Sequence, residues 1–317
     1  MMLSRVADSL FWVGRYCERA EHACRLLQIT FSAGLEAGSQ EAERAAVRAM
    51  TALGAPPLIG QSGSIEEAWR LTFSREDADS VYSSVARARE NARQVRDQLT
   101  TEMWERLNRL YFRLRETAGT SDTFAARADR VFQEVVGDLH AVKGIVEGTM
   151  SHGEGFRFLS LGRMLERAQL VVRVLEIHMA EPPGSVGEHG WMQCLRMLCG
   201  MEPFLRVKTA DFRREVVTDF LVLDPEFPRS LRFCADEIDG FIQRVGVGLA
   251  AAERARCLRR SGLLKARLEF ATLSDVTGRN GRQLLSEVAA AASDLNDAVR
   301  TTFFTISFQG APGTAVA

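Results

Sequence analysis

The pattern Gly-Arg-x-x-Glu-Arg-Ala occurs twice in this chain, as Gly14–Ala20 and as Gly162–Ala168, an offset of 148 within a length of 317. The same offset carries Arg25 onto Arg173, Leu27 onto Leu175 and Ile29 onto Ile177. An offset of 150 lays Ser80-Val-Tyr-Ser on Ser230-Leu-Arg-Phe. A segment that recurs at nearly half the chain length is the signature of an internal duplication. The expected architecture is therefore two tandem, pseudo-symmetric helical repeats over 1–150 and 151–308, packed as one globular unit, with 309–317 as a flexible tail.

Helical periodicity dominates both copies, and no stretch alternates as a strand would. At about 100° per residue, Val6, Leu10, Val13, Cys17, Ala20, Cys24 and Leu27 share one face of the first helix. Arg15, Glu18, Arg19, His22 and Arg25 line the opposite stripe. The second copy repeats the division, with Leu161, Leu165, Ala168, Val172 and Leu175 against Arg163, Glu166, Arg167 and Arg173. Yet Phe11, Leu26 and Ile29, and then Leu159, Leu170, Val174 and Ile177, lie on the charged side. A helix that is apolar nearly all round is buried on both sides, so Glu18 and Glu166 are expected in partly buried networks with two arginines each. Gly14 and Gly162 cost about 1 kcal/mol each in helix propensity, which points to close approach by another backbone. Two readings stand: the motif fixes how two central helices cross, or its surplus arginines line a pocket for a ligand or partner.

Loops are expected at 54–63, 118–121, 181–187, 223–228 and 277–281, where Gly, Pro, Asp and Ser cluster. Ser64 with Glu67, Ser74 with Asp77, and Ser151 with Glu154 have capping-box spacing, and Pro228 suits a first helical turn. About ten to twelve helices result from this punctuation, giving an all-α helical bundle.

Composition narrows the function classes. Forty basic and 41 acidic side chains leave a net charge of −1, so no bulk field favours nucleic acid or an anionic membrane. Only Lys143, Lys208 and Lys265 are lysines, which leaves 37 arginines, the side chain best suited to bidentate carboxylate or phosphate contacts. Arg89, Arg93 and Arg96 share a helix face that reads as solvated, with Glu90 and Asp97 as partners; a phosphate or acidic-peptide contact is the alternative. The six cysteines form neither a disulfide framework nor a zinc spacing, the five histidines are scattered, and no Glu-x-x-His occurs. No metal or cofactor is expected. P-loop, dinucleotide and nucleophile-elbow motifs are missing, and the tryptophans read as core or interface anchors. With no charged-then-apolar leader and no run approaching the ~18 residues of a membrane span, the expected location is the cytoplasm.

Leu3-Ser-Arg-Val-Ala-Asp-Ser-Leu-Phe-Trp-Val-Gly-Arg-Tyr-Cys-Glu-Arg-Ala-Glu21 resembles the opening of the bacterial alpha-E proteins, helical proteins named for an "ER" motif. The resemblance extends through Ala88–Arg96, Met103-Trp-Glu105, Leu107-Asn108, Phe156–Ala168 and Phe227-Pro-Arg-Ser230, nearly the whole chain. It implies an all-helical protein encoded beside, or fused to, a circularly permuted ATP-grasp protein, often near a transglutaminase-like cysteine peptidase. ATP-grasp enzymes join a carboxylate to an amine through an acyl phosphate, so the implied setting is peptide or amide formation. The motif residues carry over as Arg15, Glu18, Arg19, Arg163, Glu166 and Arg167, together with Arg89, Glu90, Asn91 and Trp104. Met164 departs from the family, which often has an aromatic residue there, as Tyr16 is in the first copy. The leading expectation is a non-catalytic helical partner that binds, presents or recruits the substrate of an ATP-grasp ligase. An enzyme using Glu18 or Glu166 as acid/base between the two halves, and a purely structural duplication, are the alternatives.

Overall fold

A computed structural model describes residues 2–35, 40–54, 61–182, 185–249 and 251–305. All regular structure among them is helical. The first half runs α1 (Ser4–Leu35), α2 (Gln40–Ala52), α3 (Gln61–Phe73), α4 (Val81–Gln94), α5 (Thr101–Thr117), α6 (Ser121–Ala125) and α7 (Ala128–Thr149). The second runs α8 (Glu154–Ala180), α9 (Glu188–Met197), α10 (Met201–Val207), α11 (Arg214–Leu223), α12 (Leu231–Arg244), α13 (Ala251–Glu269), α14 (Leu273–Val276) and α15 (Gly278–Val299). A π-turn over Arg300–Phe304 continues α15. Fifteen α-helices among the described residues exceed the ten to twelve expected. The excess lies in pieces such as α6, α10 and α14, of five, seven and four residues, too short to carry a hydrophobic period.

Two central helices organise the bundle. α1 packs along α8, and each is sheathed by its own half: α4 and α7 lie on α1, α12 and α15 on α8. α5 bridges α4 and α7 as α13 bridges α12 and α15. Both sides of the central pair are covered, as the all-round apolar pattern requires. Phe11 and Leu26 are buried beside the charges of α1, as are Leu159 and Val174 in α8. The π-turn wedges in at one end, with Phe304 5.3 Å from Phe11 and 5.9 Å from Phe158 between ring centroids.

The turns before α4 and α12 have the same hydrogen bonds. The amides of Glu76 and Asp77 donate to Ser74 Oγ, and those of Glu226 and Phe227 donate to Asp224 Oδ1. Ser80 then caps α4 by accepting from Ser83 N while its hydroxyl donates to the Ser74 carbonyl. Ser230 does the same for α12, accepting from Phe233 N and donating to the Asp224 carbonyl. Ser74 and Asp77 thus form a turn rather than a helix start, because Ser80 intercepts the first free amides of α4. Pro228 likewise sits in the turn before α12, and α8 opens at Gly153 without a side-chain cap from Ser151. α3 begins at Gln61, so the loop expected at 54–63 ends sooner and Ser64 lies within the helix rather than at its start; residues 55–60, 183 and 184 and the tail 309–317 lie outside the described residues. Gly278, expected in a loop, opens α15 at φ +57°.

The crossing of α1 on α8 depends on glycine. A Cβ on Gly14 would run into the Leu159 carbonyl oxygen, and a Cβ on Gly162 would run into that of Phe11. The two contacts are reciprocal at the 148-residue offset, and backbone on both sides leaves nothing flexible to yield. Gly14→Ala and Gly162→Ala should each lower the urea-unfolding free energy by at least about 1–3 kcal/mol, the usual cost of overpacking. Gly144→Ala, whose Cβ meets nothing within 4 Å, should instead be neutral or gain up to about 1 kcal/mol from propensity.

Candidate functional site

The charged stripes of α1 and α8 face one another across the crossing, and their ion pairs run between the copies rather than along either helix. Arg167 donates to both oxygens of Glu18, Nε to Oε1 and Nη2 to Oε2, each at 2.7 Å. Its counterpart Arg19 donates from Nε to Glu166 Oε1 at 2.6 Å. Arg15 completes the second carboxylate, donating from Nε to Glu166 Oε2 at 2.6 Å. Arg15 also donates to Asn296 Oδ1 and Gln169 Oε1, with its guanidinium 5.1 Å from the Trp12 ring centre. Arg163 turns away and donates to Glu147 on α7 at 2.8 Å. The expected two arginines per glutamate are present, but only three come from the motif; the fourth is Arg229.

Arg229 is the residue the sequence did not single out as a site, although it sits in the quoted Phe227-Pro-Arg-Ser230. The turn before α12 drives its guanidinium between two acids, Nη1 3.1 Å from Glu18 Oε1 and Nη2 donating to Glu21 Oε1 at 2.7 Å. Arg25 Nε donates to the same Glu21 oxygen, and His140 Nε2 lies 3.1 Å from it. Glu18 and Arg167 are each only 2% exposed. Burial works against the Glu18 carboxylate, but Arg167 and Arg229 hold it below its ordinary value of 4.5. Glu21 is buried too, yet Arg229, His140 and Arg25 hold it well below. On this side the network is nearly closed, with only about 30 Å³ left beside Glu18 and Glu21 between α1, α7 and α8.

The other side is open. A cavity of about 240 Å³ lies between α1, α2 and α8, lined by Arg19, His22, Asp79, Glu166, Gln169 and Arg173 together with the apolar Ala23, Ala52, Leu53 and Leu170. Counting by the offsets that relate the halves, Asp79 stands where the nearly closed side has Arg229, and Gln169 where it has Glu21. The arginine of one side is an aspartate on the other.

Arg89, Glu90, Asn91 and Trp104 lie away from this network. Arg89 lies over the rings of Trp104, Tyr111 and Phe112 and donates to Asn108, joining α4 to α5. Glu90 pairs with Arg93 on the surface, and Asn91 donates to the Arg87 carbonyl. Met164, the departure from Tyr16, is buried, whereas Tyr16 carries the guanidinium of Arg19 at 5.6 Å. The six cysteines are buried or half-buried. Burial pushes the thiols up, those of Cys17, Cys194 and Cys234 to about 12, which leaves them without thiolate character at neutral pH. Among the described residues no three His, Cys, Asp or Glu side chains are grouped to hold a metal ion. No helix among them is long and apolar enough to cross a membrane.

Two measurements probe the network. Glu18→Gln should cost about 3–5 kcal/mol in urea unfolding, since a buried guanidinium loses its counter-charge, whereas Arg173→Ala should stay within about 0.5 kcal/mol. Acid should act in two stages. Burial holds His22 neutral, its value falling from 6.5 to about 3, and His178 likewise to about 4. The unfolded chain therefore takes up protons that the fold refuses, and stability falls below pH 6.5 by up to about 1.4 kcal/mol per unit per histidine. Glu18 and Glu21, lowered in the fold, add a second loss as pH drops below 4.5. Unfolding free energies measured from about pH 7.5 to about pH 3.5 should show a plateau, a decline and then a steeper decline.

Known proteins can now be set beside this geometry. No solved structure matches the chain. An uncharacterized protein of Mycobacterium bovis and one of Mycobacterium tuberculosis are each 24% identical to it over 324 residues, covering 94% of this chain and 36% of the relative. The chain thus spans little more than a third of the length of these relatives. A family model described as "a predicted alpha-helical domain with a conserved ER motif" matches residues 2–304. That match covers nearly the whole chain, and the chain belongs to the Alpha-E family.

Proposed function

We propose that the protein is a non-catalytic helical partner that binds or recruits the substrate of an ATP-grasp peptide- or amide-forming ligase. The observation that carries this reading is the saturation of both motif carboxylates. Glu18 is clamped by Arg167 and Arg229, and Glu166 by Arg15 and Arg19. A general acid or base needs a carboxyl free to exchange a proton near the working pH, and Glu18 is held ionised instead. What the network leaves accessible is a polar cavity, which suits binding better than bond-making.

The setting comes from the family resemblance, which places a circularly permuted ATP-grasp protein, and often a transglutaminase-like peptidase, beside such chains. The greater length of the mycobacterial relatives supports it, since there the helical unit is part of a larger polypeptide. The reciprocal glycine contacts, the crossed Arg–Glu pairs and the matched turns also support reading 1–150 and 151–308 as tandem repeats sharing one core.

Co-expression of the affinity-tagged chain with the ATP-grasp protein encoded beside it tests the reading. Stoichiometric co-elution is expected, with ATP turnover by the ligase dependent on the helical chain. A ligase that neither co-elutes nor changes its turnover when the chain is omitted would overturn it.

A further inference from the structure

The open side of the network has a chemistry of its own. Its cavity is smaller than the roughly 300–1,000 Å³ of drug-sized pockets, at about 240 Å³. Around it stand polar groups the fold leaves unused. Arg173 makes no ion pair or hydrogen bond with any described residue, and its charge bears on Glu176 one turn on. Gln169 spends its carbonyl oxygen on Arg15, and its amide nitrogen has no partner among the described residues. His22 is 1% exposed, yet neither ring nitrogen has a hydrogen-bond partner among the described residues. A buried imidazole ordinarily finds one. Asp79 is 64% exposed and meets Arg19 only at 3.3 Å.

The charges set the polarity of the occupant. On the lining two guanidiniums, Arg19 and Arg173, stand against two carboxylates, Glu166 and Asp79, so the charges balance, and with Arg19 committed to Glu166 the free cation is Arg173. Glu166 is already engaged twice, which leaves Asp79 as the acid able to meet a cation. Donors from Arg173 and Gln169 lie on α8, and Asp79 faces them from the turn before α4. Ala23, Ala52, Leu53 and Leu170 supply apolar wall. On the other side Arg229, at the sequence-equivalent position, stands between Glu18 and Glu21, so Asp79 reverses one charge relative to it.

We propose that this cavity binds a small zwitterion carrying one ammonium and one carboxylate, of the class of the amino acids. Arg173 and the Gln169 amide take carboxylate, Asp79 takes the ammonium, and His22 donates or accepts from the cavity wall. Planar guanidinium and carboxylate match in bidentate geometry. The proposal deepens the binding-component reading by naming the ligand class, but it is measured on the isolated chain, so its failure leaves the co-elution test standing.

Calorimetric titration of the purified protein with L-alanine tests it, with propionate, which lacks the amine, and inorganic phosphate as the other probes. Saturable alanine binding is expected, weakened at least about tenfold in Arg173→Ala, the worth of one charge-assisted contact. Propionate should bind at least about tenfold more weakly than alanine, and the difference should collapse in Asp79→Asn. Both substitutions are at exposed positions, and unchanged melting curves will confirm that the variants fold. Three results would each overturn the proposal: binding of none of the probes, phosphate binding without alanine binding, or alanine binding that Arg173→Ala leaves intact.

Discussion

Everything in this bundle depends on how closely α1 and α8 approach. Where Gly14 meets the Leu159 carbonyl and Gly162 meets that of Phe11, the two backbones touch. That proximity brings the acids of one helix within hydrogen-bond reach of the arginines of the other. Wider spacing would strand Glu18 and Arg167 as buried, unpaired charges, several kcal/mol each. The glycines and the ion pairs are thus one device. The backbone contact sets the distance, and the charges forbid any register in which they are not matched.

Buried ion pairs are weak evidence for net stability, since desolvation consumes most of the attraction. Their effect here is better described as selectivity among packings. An aliphatic seam would let α8 slide or rotate against α1 at small cost, whereas a bidentate Arg167–Glu18 pair tolerates neither. The two sides of the crossing then diverge. Arg229 narrows one with a second guanidinium, and Asp79 borders the hollow of the other.

The sequence disclosed the framework better than the site. All-round apolarity in α1 and α8 announced two-sided burial, and the repeated glycine announced a close contact, because both are local patterns with one physical meaning. The motif charges were legible as a network, but their pairing across helices was not, since spacing along one helix suggests partners at i+3 and i+4. Arg229, Asp79 and Gln169 escaped notice because nothing local marks a turn arginine or a lone amide as the neighbour of a helix far away in sequence. The short helices α6, α10 and α14 escaped because a single turn has no period. Ser74 misled as a cap because its hydroxyl gathers two amides, as a cap would, in a turn that Ser80 then ends.

The reach of Arg229 has a consequence for how the chain is made. Glu21 waits 208 residues for this partner, on the order of 10–40 s at ordinary rates of synthesis. Until then a nascent first half carries a long helix with two acids and a glycine groove facing water, and no α8 to cover them. That half cannot finish folding as it leaves the ribosome, whatever helices it forms. The middle turns of α1, at Glu18 and Glu21, are closed only when the stretch before α12 emerges, which makes native folding a late, concerted event and makes a chain truncated before residue 229 a natural client for chaperones.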